Sequence, residues 1–116
     1  MLGATGSIGT CTLNVLRQNK EIFKLKAIAL HQNLDIALEI INEFNPELVF
    51  ISNKNINTDH PIFSSSSKIL TCLEDLKLVI QNPETEIVIS AISGFAGLQS
   101  SYWAIEAGKT TLIANK

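Results

Sequence analysis

The chain carries Gly3-Ala4-Thr5-Gly6-Ser7-Ile8-Gly9, three glycines spaced three residues apart that lead directly into an apolar helical pattern. A turn of this kind connects a buried strand to a helix whose first backbone N–H groups can bind a phosphate. In steric terms Gly3 permits a tight exit from the strand, Gly6 lets a diphosphate approach bare backbone, and Gly9 lets the helix pack closely. Only two residues precede the first glycine, so the sequence predicts the phosphate-binding turn without most of its strand.

The composition is that of one folded domain. The 116 residues are 46% hydrophobic and 17% charged, which is enough apolar material for a buried core. The formal net charge of -2 gives no broad cationic surface for a DNA or RNA backbone. The apolar runs are much shorter than the roughly 20 residues of a membrane span. We therefore expect neither nucleic-acid binding nor a membrane anchor, and no signal peptide.

The cysteines and histidines show no metal-binding pattern. Cys11 and Cys72 lie far apart and lack a CxxC or CxxH companion, so both are predicted to be small core residues. For Cys11, near a helix start, a reactive thiol is the alternative. His31 and His60 lack ligand spacing, and we expect no metal site formed by this chain alone.

Short β-like runs alternate with longer helical ones, which is typical of strands that cross over through helices into a parallel sheet. The predicted strands cover residues 25–30, 48–51, 68–70, 86–92 and 110–114. The predicted helices cover residues 7–18, with Ser7 as cap, 33–44, 73–81, and from a second glycine turn at 93–97 to about 107. Residues 52–67 are predicted to be a loop. These elements predict an α/β fold with a doubly wound parallel sheet, Rossmann-like, that lacks most of its first, central strand.

The residues after the first of these strands bear on which nucleotide the turn would hold. A carboxylate there accepts the ribose 2′-hydroxyl of NAD and repels the 2′-phosphate of NADP. This chain has His31-Gln32-Asn33, and Asp35 comes later, within the next helix. The missing carboxylate favours NADP, although no Arg or Lys stands at the same point. Lys54, beyond the next strand, could supply a cation or could be a solvated loop lysine, and a tight turn without any ligand remains an alternative.

Three segments together resemble one enzyme family, 1-deoxy-D-xylulose 5-phosphate reductoisomerase. The first is the glycine turn with Thr12-Leu13, and the second is Ala-Ile-Ser-Gly-Phe-Ala-Gly-Leu at residues 91–98. The third is Ala-Ile-Glu-Ala-Gly-Lys-Thr at residues 104–110, running on to Ala-Asn-Lys at 114–116. The order and spacing of all three are difficult to obtain from a generic nucleotide-binding fold.

The resemblance implies an NADPH-dependent enzyme that converts 1-deoxy-D-xylulose 5-phosphate to 2-C-methyl-D-erythritol 4-phosphate in the non-mevalonate pathway of isoprenoid biosynthesis. It implies that Thr5, Gly6, Ser7 and Ile8 hold the cofactor phosphates, and that the segment His31-Gln32-Asn33 binds the cofactor near its adenosine ribose. Asn115 would contact the cofactor and Lys116 the substrate. Many relatives have Gly-Lys-Asn where this chain has His31-Gln32-Asn33, so the expected cation is missing.

On this resemblance we expect residues 1–116 to be a partial NAD(P)-binding domain, clipped at both ends. The full-length protein would be a homodimeric enzyme of the bacterial cytoplasm or a plastid-type organelle, with Mg²⁺ or Mn²⁺ held in a catalytic domain that this chain lacks. The fragment alone is not expected to be active. A chain made as printed is expected to be unstable, because each apolar side chain of a central strand contributes about 1.5–3 kcal/mol. Five such residues amount to about the whole stability of a domain.

Two alternatives belong to other classes. Another reductase, such as a semialdehyde dehydrogenase, would need a catalytic cysteine downstream, and neither Cys11 nor Cys72 is so placed. A non-catalytic nucleotide-sensing module is supported only by the short length of the chain.

Overall fold

In residues 1–92 and 95–114, which the computed structural model describes, five short strands alternate with four helices. The strands are β1 Ala27–Leu30, β2 Leu48–Ile51, β3 Lys68–Leu70, β4 Ile87–Ser90 and β5 Thr110–Ile113. The helices are α1 Ser7–Gln18, α2 Leu34–Phe44, α3 Leu73–Gln81 and α4 Phe95–Glu106. None of these helices has the length and apolar composition to cross a membrane.

Leu2 joins two groups of parallel strands. β1 pairs with β2 and β2 with β3, while β4 pairs with β5. Leu2 forms parallel bridges to Ala29 of β1 and to Ser90 of β4. Its N–H donates to the Ile89 carbonyl at 2.8 Å, and its carbonyl accepts from the Ala91 N–H at 3.0 Å. The order β3-β2-β1-Leu2-β4-β5 confirms the predicted doubly wound sheet, with residue 2 at the place predicted for the central strand.

The helices cover both faces of this sheet, because successive strand side chains point to opposite sides. Leu13 of α1 and the α2 residues pack against Ile28 and Val49 on one face. On the other face, Leu76 and Ile80 of α3 and Ala104 of α4 pack with Ala29 and Phe50 in a second cluster. Both faces are buried, which explains why the predicted strands are almost continuously apolar.

A groove of about 770 Å³ separates β1 from β4 beside Met1 and Leu2. It is lined from the sheet by Ala27, Ile28, Ile87 and Val88. On α1, Ile8, Thr12 and Val15 face this groove, and Ile8 and Val15 remain 37% and 54% exposed. The buried contacts of α1 are instead made by Gly9 and Leu13.

The starts of the first two long helices differ from the prediction by one residue. Gly6 occupies the N-cap of α1 without a side-chain hydrogen bond, so the prediction that Ser7 is the cap is wrong, and Ser7 is the first helical residue. Asn33 is the N-cap of α2, since its side-chain oxygen accepts a hydrogen bond from the Ile36 N–H at 3.3 Å. Asn45 is the C-cap of α2, with a left-handed backbone (φ 52°), and a proline follows it.

The segment predicted to be a loop contains one ordered turn. Pro61–Ser64 forms a 3-10 helix, and Ile62 within it is fully buried in the core of the α2 face. His60 caps this turn, because its Nδ1 accepts from the Ile62 N–H at 3.1 Å while its Nε2 lies 2.8 Å from Asp35 Oδ1. A single buried residue gives no periodicity, so the sequence could not reveal this turn.

Both cysteines are exposed, so the prediction that they are core residues is wrong. Cys11 lies two residues from both Gly9 and Leu13, which form the buried face of α1, and it therefore falls on the opposite side of the helix. Cys72 is the N-cap residue of α3.

Candidate nucleotide-binding site

The glycine turn lies at the carboxyl ends of β1 and β4, at the centre of the sheet. The N–H groups of Gly3 and Ala4 both donate to the Ala29 carbonyl, at 2.9 and 3.1 Å. On the other side, Ala91 follows β4 and bonds to Leu2. This is the position where the strand order reverses, and open α/β sheets bind ligands in the crevice that this reversal creates.

Two of the three glycines are required by the packing of the chain itself. Gly3 has a positive φ of 81°, and a Cβ on it would lie 2.7 Å from the Ala91 carbonyl oxygen. A Cβ on Gly9 would lie 2.4 Å from the Gly3 carbonyl oxygen, so a side chain there would push α1 away from the turn.

At Gly6, neither a positive φ nor a close contact requires a glycine. Its φ of -82° is open to any residue, and a Cβ on it would meet only the Gly3 carbonyl oxygen, at an ordinary 3.6 Å. Gly6, Ser7 and Ile8 are all exposed. The backbone at Gly6 therefore borders open space, which a side chain would partly fill.

The amino end of α1 is equipped to bind an anion. The first helical N–H groups, those of Ser7, Ile8 and Gly9, have no acceptor within the helix, and Gly6 supplies no side-chain cap. The first turn of α1 carries no acidic residue, so the positive end of the helix dipole is not neutralised. In the part of the chain that the structure describes, no hydrogen bond engages the hydroxyls of Thr5 and Ser7.

A second polar region lies where β1 and β2 end. His31 Nδ1 is 2.8 Å from the Ser52 hydroxyl, and the side-chain N–H of Asn53 donates to Gln32 Oε1 at 2.9 Å. The Asn53 backbone N–H also donates to the His31 carbonyl at 3.0 Å. These bonds hold the segment after β1 against the segment after β2.

This region borders a pocket of about 390 Å³ that is rich in primary amides. The residues that line it are Gln32, Asn33, Leu34, Asn53, Asn55, Ile56 and Asn57. None of them carries a charge. Amide groups offer both donors and acceptors, so the pocket suits the hydroxyls of a sugar.

The sequence reasoning missed the asparagines that follow β2. Asn53, Asn55 and Asn57 contribute three amide side chains to the pocket, whereas the β1 side contributes two, those of Gln32 and Asn33. A signal for them existed, because parallel pairing of Leu30 with Ile51 brings the residues after both strands to the same edge.

The structure brings the predicted site residues together in two groups along the carboxyl edge of the sheet. Thr5, Gly6, Ser7 and Ile8 form the turn, and Gln32 and Asn33 line the pocket. His31 contacts Ser52 and does not line the pocket. Asn115, Lys116 and the Ser93-Gly94 part of the second glycine turn lie outside the described residues.

The described residues do not fit a metal ion. No group of three or more His, Cys, Asp or Glu side chains comes together anywhere in residues 1–92 and 95–114. The polar groups of the candidate site are amides, hydroxyls and backbone N–H groups, which suit a phosphorylated sugar better than a divalent cation.

Comparison with known proteins identifies the relatives of this chain. The sequence model of the family described as 1-deoxy-D-xylulose 5-phosphate reductoisomerase matches residues 1–116. Relatives of that name from Bacillus cereus (strain AH187) and Clostridium kluyveri are 41% and 35% identical over 116 and 120 aligned residues. Each alignment covers 100% of this chain and 30% or 31% of the relative. The chain thus spans less than a third of the length of the curated relatives it matches.

Solved structures show the same similarity. A crystal structure of DOX-P reductoisomerase in complex with NADPH, fosmidomycin and magnesium superposes with a TM-score of 0.87 at 33% identity, over 98% of this chain and 29% of that one. The Zymomonas mobilis reductoisomerase in complex with NADPH gives a TM-score of 0.86 at 28% identity, over 98% of this chain and 30% of that one.

Proposed function

The chain belongs to the 1-deoxy-D-xylulose 5-phosphate reductoisomerase family, and from this premise we propose that it forms the NADPH-binding part of such an enzyme. The whole protein would convert 1-deoxy-D-xylulose 5-phosphate to 2-C-methyl-D-erythritol 4-phosphate in isoprenoid biosynthesis. Two structures similar to this chain belong to reductoisomerases in complex with NADPH, which supports the choice of cofactor. The family assignment replaces the alternative of a semialdehyde dehydrogenase.

The observation that carries the proposal is the open space at Gly6. Gly3 and Gly9 are explained by contacts within the chain, at 2.7 and 2.4 Å, but nothing in the described structure requires a glycine at position 6. A diphosphate that lies against the backbone would require it, because a Cβ would hold the phosphate away from the N–H groups. The uncapped amino end of α1 supplies those N–H groups.

The proposed roles follow the two groups of residues. Thr5, Gly6, Ser7 and Ile8 bind the cofactor diphosphate through backbone N–H groups and two hydroxyls. His31, Gln32 and Asn33 bind the adenosine ribose, with the amides beside the pocket. Asn115 contacts the cofactor and Lys116 the substrate, as the family resemblance implies.

When bound, NADPH supplies a hydride for the reduction step. The residues of this chain orient the cofactor, and the described part holds no metal-binding cluster. We therefore assign the divalent metal, Mg²⁺ or Mn²⁺, and the catalytic residues to the part of the longer relatives that this chain does not cover. The full-length protein is proposed to be a homodimer of the bacterial cytoplasm or of a plastid-type organelle.

NADPH titration of Gly6→Ala tests the proposal. We expect the full-length protein to bind NADPH, measured by the change in NADPH fluorescence, and Gly6→Ala to weaken binding by at least about tenfold because the Cβ displaces the diphosphate. Glu39→Ala, an exposed change on α2, is the control and should bind as the unchanged chain does. Equal affinity for Gly6→Ala and the control would contradict the role of the turn.

A further inference from the structure

Lys54 differs from most cationic residues of the chain because its side chain has no partner among the described residues. Arg17 pairs with Glu43, Lys24 with Glu47 and Lys26 with Glu84. The other partnered cations are Lys20 over the Phe44 ring, Lys77 over the Trp103 ring, and Lys109, which donates to the Asn82 carbonyl. Lys116 lies outside the described residues.

Lys68 is the other lysine whose side chain makes no hydrogen bond, ion pair or ring contact in residues 1–92 and 95–114, but it lies at the opposite end of the sheet. It is the first residue of β3, which runs parallel to β2. The amino ends of parallel strands lie at the edge opposite the candidate site. Lys54 is therefore the free cation that the described structure places at the carboxyl edge.

The loop holds Lys54 beside the amide-lined pocket. Its two neighbours, Asn53 and Asn55, both line the pocket, and the Asn55 N–H donates to Asn53 Oδ1 at 3.0 Å across Lys54. Asn53 also donates to Gln32, which ties this turn to the end of β1. The exposed lysine thus projects from a fixed point on the rim of the pocket.

A nucleotide whose adenosine ribose lies in this pocket would present its 2′ position to uncharged amides. The lining contains no carboxylate, which would favour NADH, and no Arg or Lys, which would pair with the 2′-phosphate of NADPH. The long, flexible side chain of a lysine can supply the missing charge from the rim, since lysine binds phosphate as a point charge.

We propose that Lys54 determines the preference for NADPH over NADH by pairing with the cofactor 2′-phosphate at the rim of this pocket. The inference rests on the proposed function, because it requires that the chain bind the nucleotide. It assigns the phosphate-pairing charge to the segment after β2, because the residues that follow β1 include no Arg or Lys.

The test is the ratio of the dissociation constants for NADPH and NADH, measured by titration of the full-length protein at fixed ionic strength. We expect the unchanged chain to prefer NADPH, and Lys54→Gln to weaken NADPH binding about tenfold with NADH binding unchanged. Lys54→Arg should keep the preference because it keeps the charge. Lys68→Gln, which removes a free lysine from the opposite edge, should change neither affinity.

Several results would overturn the inference and leave the proposed function intact. They are equal binding of both nucleotides by the unchanged chain, an unaltered ratio in Lys54→Gln, and a loss of both affinities in that variant. A ratio that changes in His31→Gln but not in Lys54→Gln would assign the charge to the imidazole instead. If the unchanged full-length protein binds neither nucleotide, the proposed function fails as well. Unfolding midpoints of the Lys54 variants should agree with that of the unchanged protein, because the exposed Lys54 side chain makes no hydrogen bond, ion pair or ring contact in the described structure.

Discussion

A Cβ on Gly9 would stand 2.4 Å from the carbonyl oxygen of Gly3, so the first helix can lie against the turn only because residue 9 has no side chain. We expect Gly9→Ala to lower the free energy of unfolding by about 1–3 kcal/mol, since backbone must shift to relieve the contact. Gly6→Ala, where a Cβ meets ordinary space, should cost less than about 1 kcal/mol. Urea denaturation of the two variants measures both effects, and equal losses would contradict the assigned geometry.

Asn33 has two separable roles, as the N-cap of α2 and as part of the pocket. Asn33→Ala should lower the free energy of unfolding by about 1 kcal/mol, because the Ile36 N–H loses its acceptor. Asn33→Asp keeps an acceptor and should retain that stability, yet its carboxylate should repel a 2′-phosphate and weaken NADPH more than NADH. A stable Asn33→Asp variant with unchanged affinities for NADPH and NADH would show that Asn33 is not part of the proposed site.

The α-ammonium group of Met1 predicts a pH dependence for a polypeptide that begins at this residue. It donates to the Ala27 carbonyl at 2.7 Å, and burial lowers its pKa from 8.0 to about 5. Between pH 5 and 8 the unfolded chain binds this proton and the folded chain does not. The free energy of unfolding should therefore fall as the pH drops from 8 toward 5, by up to about 4 kcal/mol.

N-terminal acetylation removes this titrating group and serves as the control. Urea midpoints of the free and acetylated chains, compared at pH 5.5 and 8, isolate the contribution of the amine from that of the histidines and carboxylates. The same pH profile for both chains would show that the Met1 nitrogen is not buried as described.

The groove between β1 and β4 predicts that an added strand would stabilise the fold. The backbone carbonyls of Lys26 and Leu30 accept hydrogen bonds from the β2 side. Those of Glu86 and Ser90 accept hydrogen bonds from the β5 side. Because backbone groups alternate in direction along a strand, those of Ala27, Ile87 and Ile89 point toward the groove. An extended segment joined to Met1 would meet hydrogen-bonding groups on both sides and apolar side chains above and below.

A chain made as the 116 printed residues is still predicted to be unstable or prone to aggregate, since this groove and the edges of β3 and β5 are open. Adding Val-Ile-Val-Ile before Met1 should raise the melting temperature by several degrees, whereas Gly-Ser-Gly-Ser should not. Circular dichroism measures both. A sharp transition well above room temperature in the printed chain, or equal gains from both extensions, would refute this prediction.

Local patterns in the sequence predicted the elements and their order well. Strand and helix limits agree within about two residues, because the apolar runs are buried on both faces of the sheet and Asn45-Pro46 and Gly108 end helices through local backbone geometry. The sequence also placed the glycine turn at the centre of the sheet, where Leu2 bridges β1 and β4.

What the sequence could not predict depended on contacts between distant segments. The fully buried Ile62 lies in a turn too short to show periodicity. The exposure of Cys11 depended on which face of α1 meets the sheet, since this helix buries Gly9 and Leu13 while Ile8 and Val15 face the groove. The amides after β2 entered the candidate site only once the register of β1 and β2 was known.

The central claim is that backbone N–H groups at the start of α1 bind the cofactor diphosphate. Its most direct test is an NADPH titration of the isotope-labelled full-length protein, followed through backbone amide NMR signals. We predict saturable shifts that are largest for Ser7, Ile8 and Gly9, accompanied by smaller ones for Gln32 and Asn33. Saturation of NADPH binding with those three amide signals unmoved would contradict the account.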